Sequence, residues 1–190
     1  FYHSKEDSLV KSPERLFEIY LTSVGRGSTL LLNIPPDRRG LIHEKDVESL
    51  RGFREILNRE FKTNLTKDAV ASSGFYRNGD DNFSPSKLID GNPDTYWATD
   101  DAIHTESIEI DFFTNQVVKY VVLQELIELG QRVKSFKIET RQESGWVEAA
   151  RGTTIGYKRI LRFDPVKTDR IKITILDARA CPTISNIEIY

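Results

Sequence analysis

Oxygen-bearing residues crowd one stretch of this 190-residue chain, Ser86-Lys-Leu-Ile-Asp-Gly-Asn-Pro-Asp-Thr-Tyr-Trp97. Within it stand the carboxylates of Asp90 and Asp94, the amide of Asn92, the hydroxyl of Thr95 and the carbonyls of a loop that Gly91 and Pro93 force to bend. Hard oxygen donors at this density suit a hard cation such as Ca²⁺. The same residues also describe a plain turn in which Asp and Asn side chains accept hydrogen bonds from their own backbone, and spacing alone leaves both readings open. A sugar site would need an aromatic face and a few fixed polar groups on adjoining loops. The candidates are His104 in the Asp100–Thr105 loop, Arg132 after Gly130-Gln131, and Tyr157 after Gly156. Arg132 and Arg151 equally suit salt bridges to a neighbouring domain. Trp97 reads as core, and Cys181, beside Pro182, as a small packed thiol.

Composition narrows the partners. A formal charge of −2 with acids and bases interspersed gives no electrostatic footprint for nucleic acid or an anionic membrane. The single cysteine excludes an internal disulfide framework, and neither CxxC nor HExxH occurs. No apolar run approaches the roughly 18 residues of a membrane span, so membrane insertion is not expected. The first residues lack the basic start and apolar middle of a signal peptide. Residue 1 is Phe and methionine is absent, so the expectation is a piece of something longer, with any targeting signal upstream.

Two textures must position these groups. Ser12 before Pro13 and Glu14 predicts a helix start, and Leu16, Phe17, Tyr20 and Val24 recur at helical spacing until Gly25 and Gly27. Thr29-Leu-Leu-Leu-Asn-Ile34, apolar on both faces and ended by Pro35-Pro36, predicts a buried parallel strand. A second helix is predicted from about Glu44, with Val47, Leu50, Phe53 or Arg54, Leu57 and Phe61 at the helical period and charges on the other face. One strand cannot form a sheet, so its neighbours are expected elsewhere. Beyond a linker near residues 62–68, short alternating strands take over. They are predicted near residues 69–73, 107–112, 117–124, 133–141, 146–150, 157–163, 170–176 and 184–190. Eight such strands suggest an antiparallel sandwich of jelly-roll type, so the chain as a whole is expected to be mainly β.

The block Leu30-Leu-Leu-Asn-Ile-Pro-Pro-Asp-Arg-Arg-Gly-Leu-Ile42, with its following helix, resembles the last strand and helix of the family 29 glycoside hydrolases, the retaining α-L-fucosidases. This resemblance spans about residues 1–62. Residues 67–190 resemble the F5/8 type C, or discoidin-like, domain, also called family 32 carbohydrate-binding modules. The residues that carry it are Ser84-Pro85, Ile89-Asp-Gly-Asn-Pro-Asp-Thr-Tyr-Trp97, Ile108-Glu-Ile-Asp-Phe112 and Ile184-Ser-Asn-Ile-Glu-Ile-Tyr190. Together the two resemblances imply a galactose-binding-domain-like sandwich preceded by the helix-strand-helix end of a (β/α)₈ barrel.

The resemblance to fucosidases also implies an activity for the parent protein. That parent would release L-fucose from α-1,3- or α-1,4-linked glycans, with its nucleophile and acid/base on an upstream catalytic domain, so this fragment by itself is expected to be inactive. The sandwich would brace that barrel or rim its active site; the alternative is an independent module that targets galactose- or fucose-bearing chains. By the same resemblance Tyr2, His3 and Asn33 fall where the family's fucose pocket lies, Asn33 equally suiting a tie for its own loop. The family's cation set maps onto the carbonyls of Lys87 and Asn92, the Asp90 carboxylate, Thr95, the Ser185 carbonyl and the Asn186 side chain, where the family has Glu. A structural Ca²⁺ is thereby expected and an organic cofactor is not. Secretion, or export to the periplasm, is implied as well.

Overall fold

The computed structural model describes residues 9–190, in two compact units. Residues up to Val24 with Ser28–Lys62 form one; Thr63–Tyr190 with Gly25–Gly27 form the other.

The first unit is built on two helices. Helix α1, Pro13–Thr22, starts where the Ser12 hydroxyl accepts the Arg15 N–H at 3.2 Å, and Pro13 presets the backbone of its first turn. Helix α2, Glu44–Glu60, is capped by His43, whose Nδ1 accepts the Lys45 N–H at 3.3 Å. Leu16, Phe17 and Leu21 of α1 and Ile56 of α2 are buried. Aromatic side chains join the pair: Tyr20 meets Phe53 edge-on at 6.1 Å, and Phe17 lies 6.2 Å from Phe61.

Between the helices the structure departs from expectation. Thr29–Ile34 forms no strand among the described residues, and Leu31 is 91% exposed. The physical reason is that a strand exists through its ladder partners, and among the described residues none lies beside this segment. The segment is followed by a tight loop closed by a bridge between Pro36 and Ile42.

The second unit is antiparallel throughout, with strands β1 Val70–Ser73, β2 Trp97–Ala98, β3 Glu106–Glu125, β4 Val133–Gln142, β5 Gly145–Gly152, β6 Arg159–Ala178 and β7 Thr183–Ile189. Strands β3 and β6 run side by side and bend together, since their register shifts between Asp111 and Gln116. Before the bend β3 pairs with β1, and the facing half of β6 pairs with β4, which in turn pairs with β5. After it β3 pairs with β7, which carries β2. One continuous sheet thus doubles over a shared core that includes Trp97, Phe136, Ile108, Val121, Ile173 and Ile187.

Two expected strand pairs, 107–112 with 117–124 and 157–163 with 170–176, are therefore the halves of β3 and β6. The residues between read as loop because Phe113 to Asn115 are exposed at the bend, where Phe113 takes a positive φ of 61°. Strand β2 escaped notice because only two residues pair. The stretch expected as a linker is ordered from Asn64 onward: the Asn64 Oδ1 accepts N–H groups from Thr66 and, at 3.1 Å, from Ile189.

Candidate functional site

The oxygen-rich loop folds onto itself. Gly91 takes a positive φ of 73°, which L side chains rarely adopt, and this turns the chain so that Asp90 Oδ1 accepts the Asn92 N–H at 2.9 Å. Asp90 Oδ2 lies 2.7 Å from the Thr95 hydroxyl, and Asn92 Oδ1 accepts the Asp94 N–H at 3.1 Å. These bonds hold Asp90, Asn92 and Thr95 in one turn, with Asp90 and Asn92 exposed and Thr95 half-buried. Asn186, on β7, directs its amide N–H toward Gln124 at 2.9 Å and Glu188 at 3.3 Å, leaving its amide oxygen without a donor among the described residues. Ser185 is buried beside it. Among the described residues no three His, Cys, Asp or Glu side chains gather as metal ligands. Any cation here would rest on carbonyls, one carboxylate, a hydroxyl and the Asn186 amide, a hard set that fits Ca²⁺ in kind and carries little charge.

The sugar candidates sit on loops laced together. Arg132 donates through Nε to the Leu129 carbonyl at 3.3 Å, and through Nη1 to the carbonyl and Sγ of Cys181, both at 2.9 Å. Two guanidinium nitrogens are thus fixed, while the third has no protein acceptor among the described residues. The neighbouring Arg77 donates to the Thr99 carbonyl, to Asp101 at 2.5 Å and to Cys181 Sγ at 3.0 Å. Arg77 and Cys181 therefore tie the Asp100–Thr105 loop, which presents an exposed His104, to the segment carrying Arg132. Cys181 is packed as expected, at 3% exposure. Tyr157 is 60% exposed and follows Gly156. Trp97 is fully buried, and its indole N–H donates to Ser73 at 3.0 Å. Arg151 pairs with Glu148 at 2.8 Å.

Three residues here were missed by sequence reasoning: Arg77, Asp101 and above all Glu125. Glu125 is 2% exposed, and its carboxylate accepts the N–H groups of Arg132, Val133 and Gly156 at 2.8, 2.9 and 2.6 Å. The only sequence signal was an acid ending an apolar strand, Val121-Val-Leu-Gln-Glu125.

In the first unit, Tyr2 and His3 lie outside the described residues, and Asn33 is exposed. A shallow cavity of about 310 Å³ there is lined by Asp37, Arg38, Arg39, His43 and Glu44. Arg39 bonds Asp37 at 2.6 Å and Glu44 at 2.7 Å. Its guanidinium, ahead of the other influences, holds both carboxyl groups below the usual carboxylate range, and they in turn raise Arg39. One guanidinium thus ties both carboxylates to itself.

The geometry can be set beside known proteins. The F5/8 type C domain family matches residues 68–188. Alpha-L-fucosidase 1 of Arabidopsis thaliana is 36% identical over 197 residues, covering 100% of this chain and 38% of that protein. A solved structure of a putative alpha-L-fucosidase from Bacteroides thetaiotaomicron is 37% identical with a TM-score of 0.92, covering 100% of this chain and 42% of that one. A Ruminococcus gnavus GH29 fucosidase solved in complex with fucose is 35% identical with a TM-score of 0.87, covering 95% and 37%. The chain spans about two fifths of the length of the relatives it matches. On the match over residues 68–188 the chain belongs to the F5/8 type C domain family, joined to an N-terminal segment similar to part of GH29 fucosidases.

Proposed function

We propose that this chain is the sandwich-bearing region of a retaining exo-α-L-fucosidase that releases L-fucose from α-1,3- or α-1,4-linked glycans. The supporting observation is likeness over the whole chain, helices and sandwich together, to fucosidases of plant and bacterial origin. A retaining glycosidase needs two carboxyl groups roughly 5 Å apart, and this reading assigns both to a catalytic domain outside the chain. The unpaired Leu30–Ile34 segment, with Leu31 exposed, would then find its ladder partners in that domain. Export from the cytoplasm follows on the same reading.

On this reading the sandwich braces the catalytic domain or rims its active site, presenting His104, Arg132 and Tyr157 toward the glycan. The carbonyls of Lys87, Asn92 and Ser185, with Asp90, Thr95 and Asn186, would hold a Ca²⁺ that staples the loop to β7 and takes no part in hydrolysis. Titration calorimetry of the 190-residue chain with free L-fucose and galactose tests the choice. The bracing role expects heats no larger than dilution; millimolar or tighter binding would establish the alternative, an independent glycan-binding module. The chain alone is also expected to leave a nitrophenyl fucoside intact, and turnover by the purified chain would move the catalytic carboxylates into it.

A further inference from the structure

At the end of β3 the ladder to β7 slips: Gln124 lies opposite Asn186, but Glu125 opposite Ile184. A bulge of this kind re-aims side chains. Consecutive strand residues normally point to opposite faces, yet here both reach the Gly156–Tyr157 turn. Glu125 Oε2 accepts the Gly156 N–H at 2.6 Å, and Gln124 Nε2 donates to the Tyr157 carbonyl at 3.2 Å. The other Glu125 oxygen accepts the N–H groups of Arg132 and Val133. The carboxylate therefore spans two loops, one carrying the guanidinium of Arg132 and the other the ring of Tyr157. Only a carboxylate accepts on both sides; an amide of the same shape must turn an N–H toward one of them.

We propose that Glu125, aimed by the bulge, is the positioning residue of the glycan-facing loops and sets the spacing between Arg132 and Tyr157. The assignment of these loops to glycan rests on the function proposed above. The test is Glu125→Gln. In the 190-residue chain, amide hydrogen exchange should fall in protection at Gly156 by about tenfold or more, while Arg132 and Val133, facing the retained oxygen, keep theirs. Buried amides of Ile138 and Ile173 should not change. Unaltered protection at Gly156, Arg132 and Val133 alike, or an equal loss at Ile138 and Ile173, overturns the clamp. In the complete fucosidase the same variant should raise KM for a branched fucosyl oligosaccharide by about threefold or more, with kcat on nitrophenyl fucoside unchanged. An unchanged KM overturns the positioning role. A complete protein that cleaves no fucoside defeats the functional reading instead, and the exchange measurement, which needs no sugar, still reports on Glu125.

Discussion

Asp37 accepts the Arg39 guanidinium and two backbone N–H groups from Arg39 and Leu41, with only 4% of its side chain open to solvent. Because its folded pKa is depressed, its contribution to the loop is present above the unfolded carboxylate value of about 4 and is lost as pH falls through the lower folded value. Amide signals of Gly40 and Leu41, followed by NMR down to about pH 2, should therefore titrate below the usual carboxylate range. In Asp37→Asn that titration should vanish; its persistence would assign the acid transition to another group. At Asn186 the expectation concerns calcium. Asn186→Glu adds a carboxylate beside Glu188, which its amide N–H now meets at 3.3 Å. The variant should melt lower in chelator and bind Ca²⁺ about tenfold more tightly than the parent chain, because ligand charge tunes affinity. No calcium-dependent shift in the melting temperature of either protein would remove the cation from the proposal. Asp90, Asn92 and Thr95 were legible as oxygen donors in a turn, and Asn186 only through the resemblance. Glu125 was not, since nothing in Val121-Val-Leu-Gln-Glu125 tells that a one-residue slip against β7 turns the acid toward two loops.

Among the elements, β4 and β5 approach closely at one point. Gly152 lies opposite Phe136, and a Cβ there would stand 2.4 Å from the ring of that fully buried side chain. Gly152→Ala should cost about 1–3 kcal/mol through forced repacking, read as a lower denaturant midpoint with unchanged slope. A midpoint within error of the parent would show that the ring can move aside. Period-two alternation placed every described strand except β2 because most of their inward residues are apolar, as in Ile108, Ile110 and Phe112. What it did not convey was continuity: the residues that carry β3 around its bend are exposed on all sides, which in sequence is the signature of a loop. The failure at Thr29–Ile34 runs the other way. Apolar pattern reports a readiness to pair, and pairing itself depends on neighbours that the segment cannot supply.

The molecule as a whole divides its stability unevenly. The sandwich holds a closed set of more than twenty buried or partly buried apolar side chains, whereas the helical unit buries only Leu16, Phe17, Leu21 and Ile56 among its described hydrophobics. Residues 63–190 alone should thus melt cooperatively, and residues 1–62 alone should show no cooperative transition by circular dichroism. A sharp melt of the isolated helical piece would contradict this. The place of β7 has a further effect, felt during synthesis. It lies between β2 and β3, both made well before it, and its end bonds back to Tyr120 in the middle of β3. Until β7 leaves the ribosome, β2 and the second half of β3 wait with open edges, so this layer closes late and all at once. Messages truncated before Thr183 should therefore yield aggregate rather than a shortened sandwich, making β7 the strand on which closure of this layer depends.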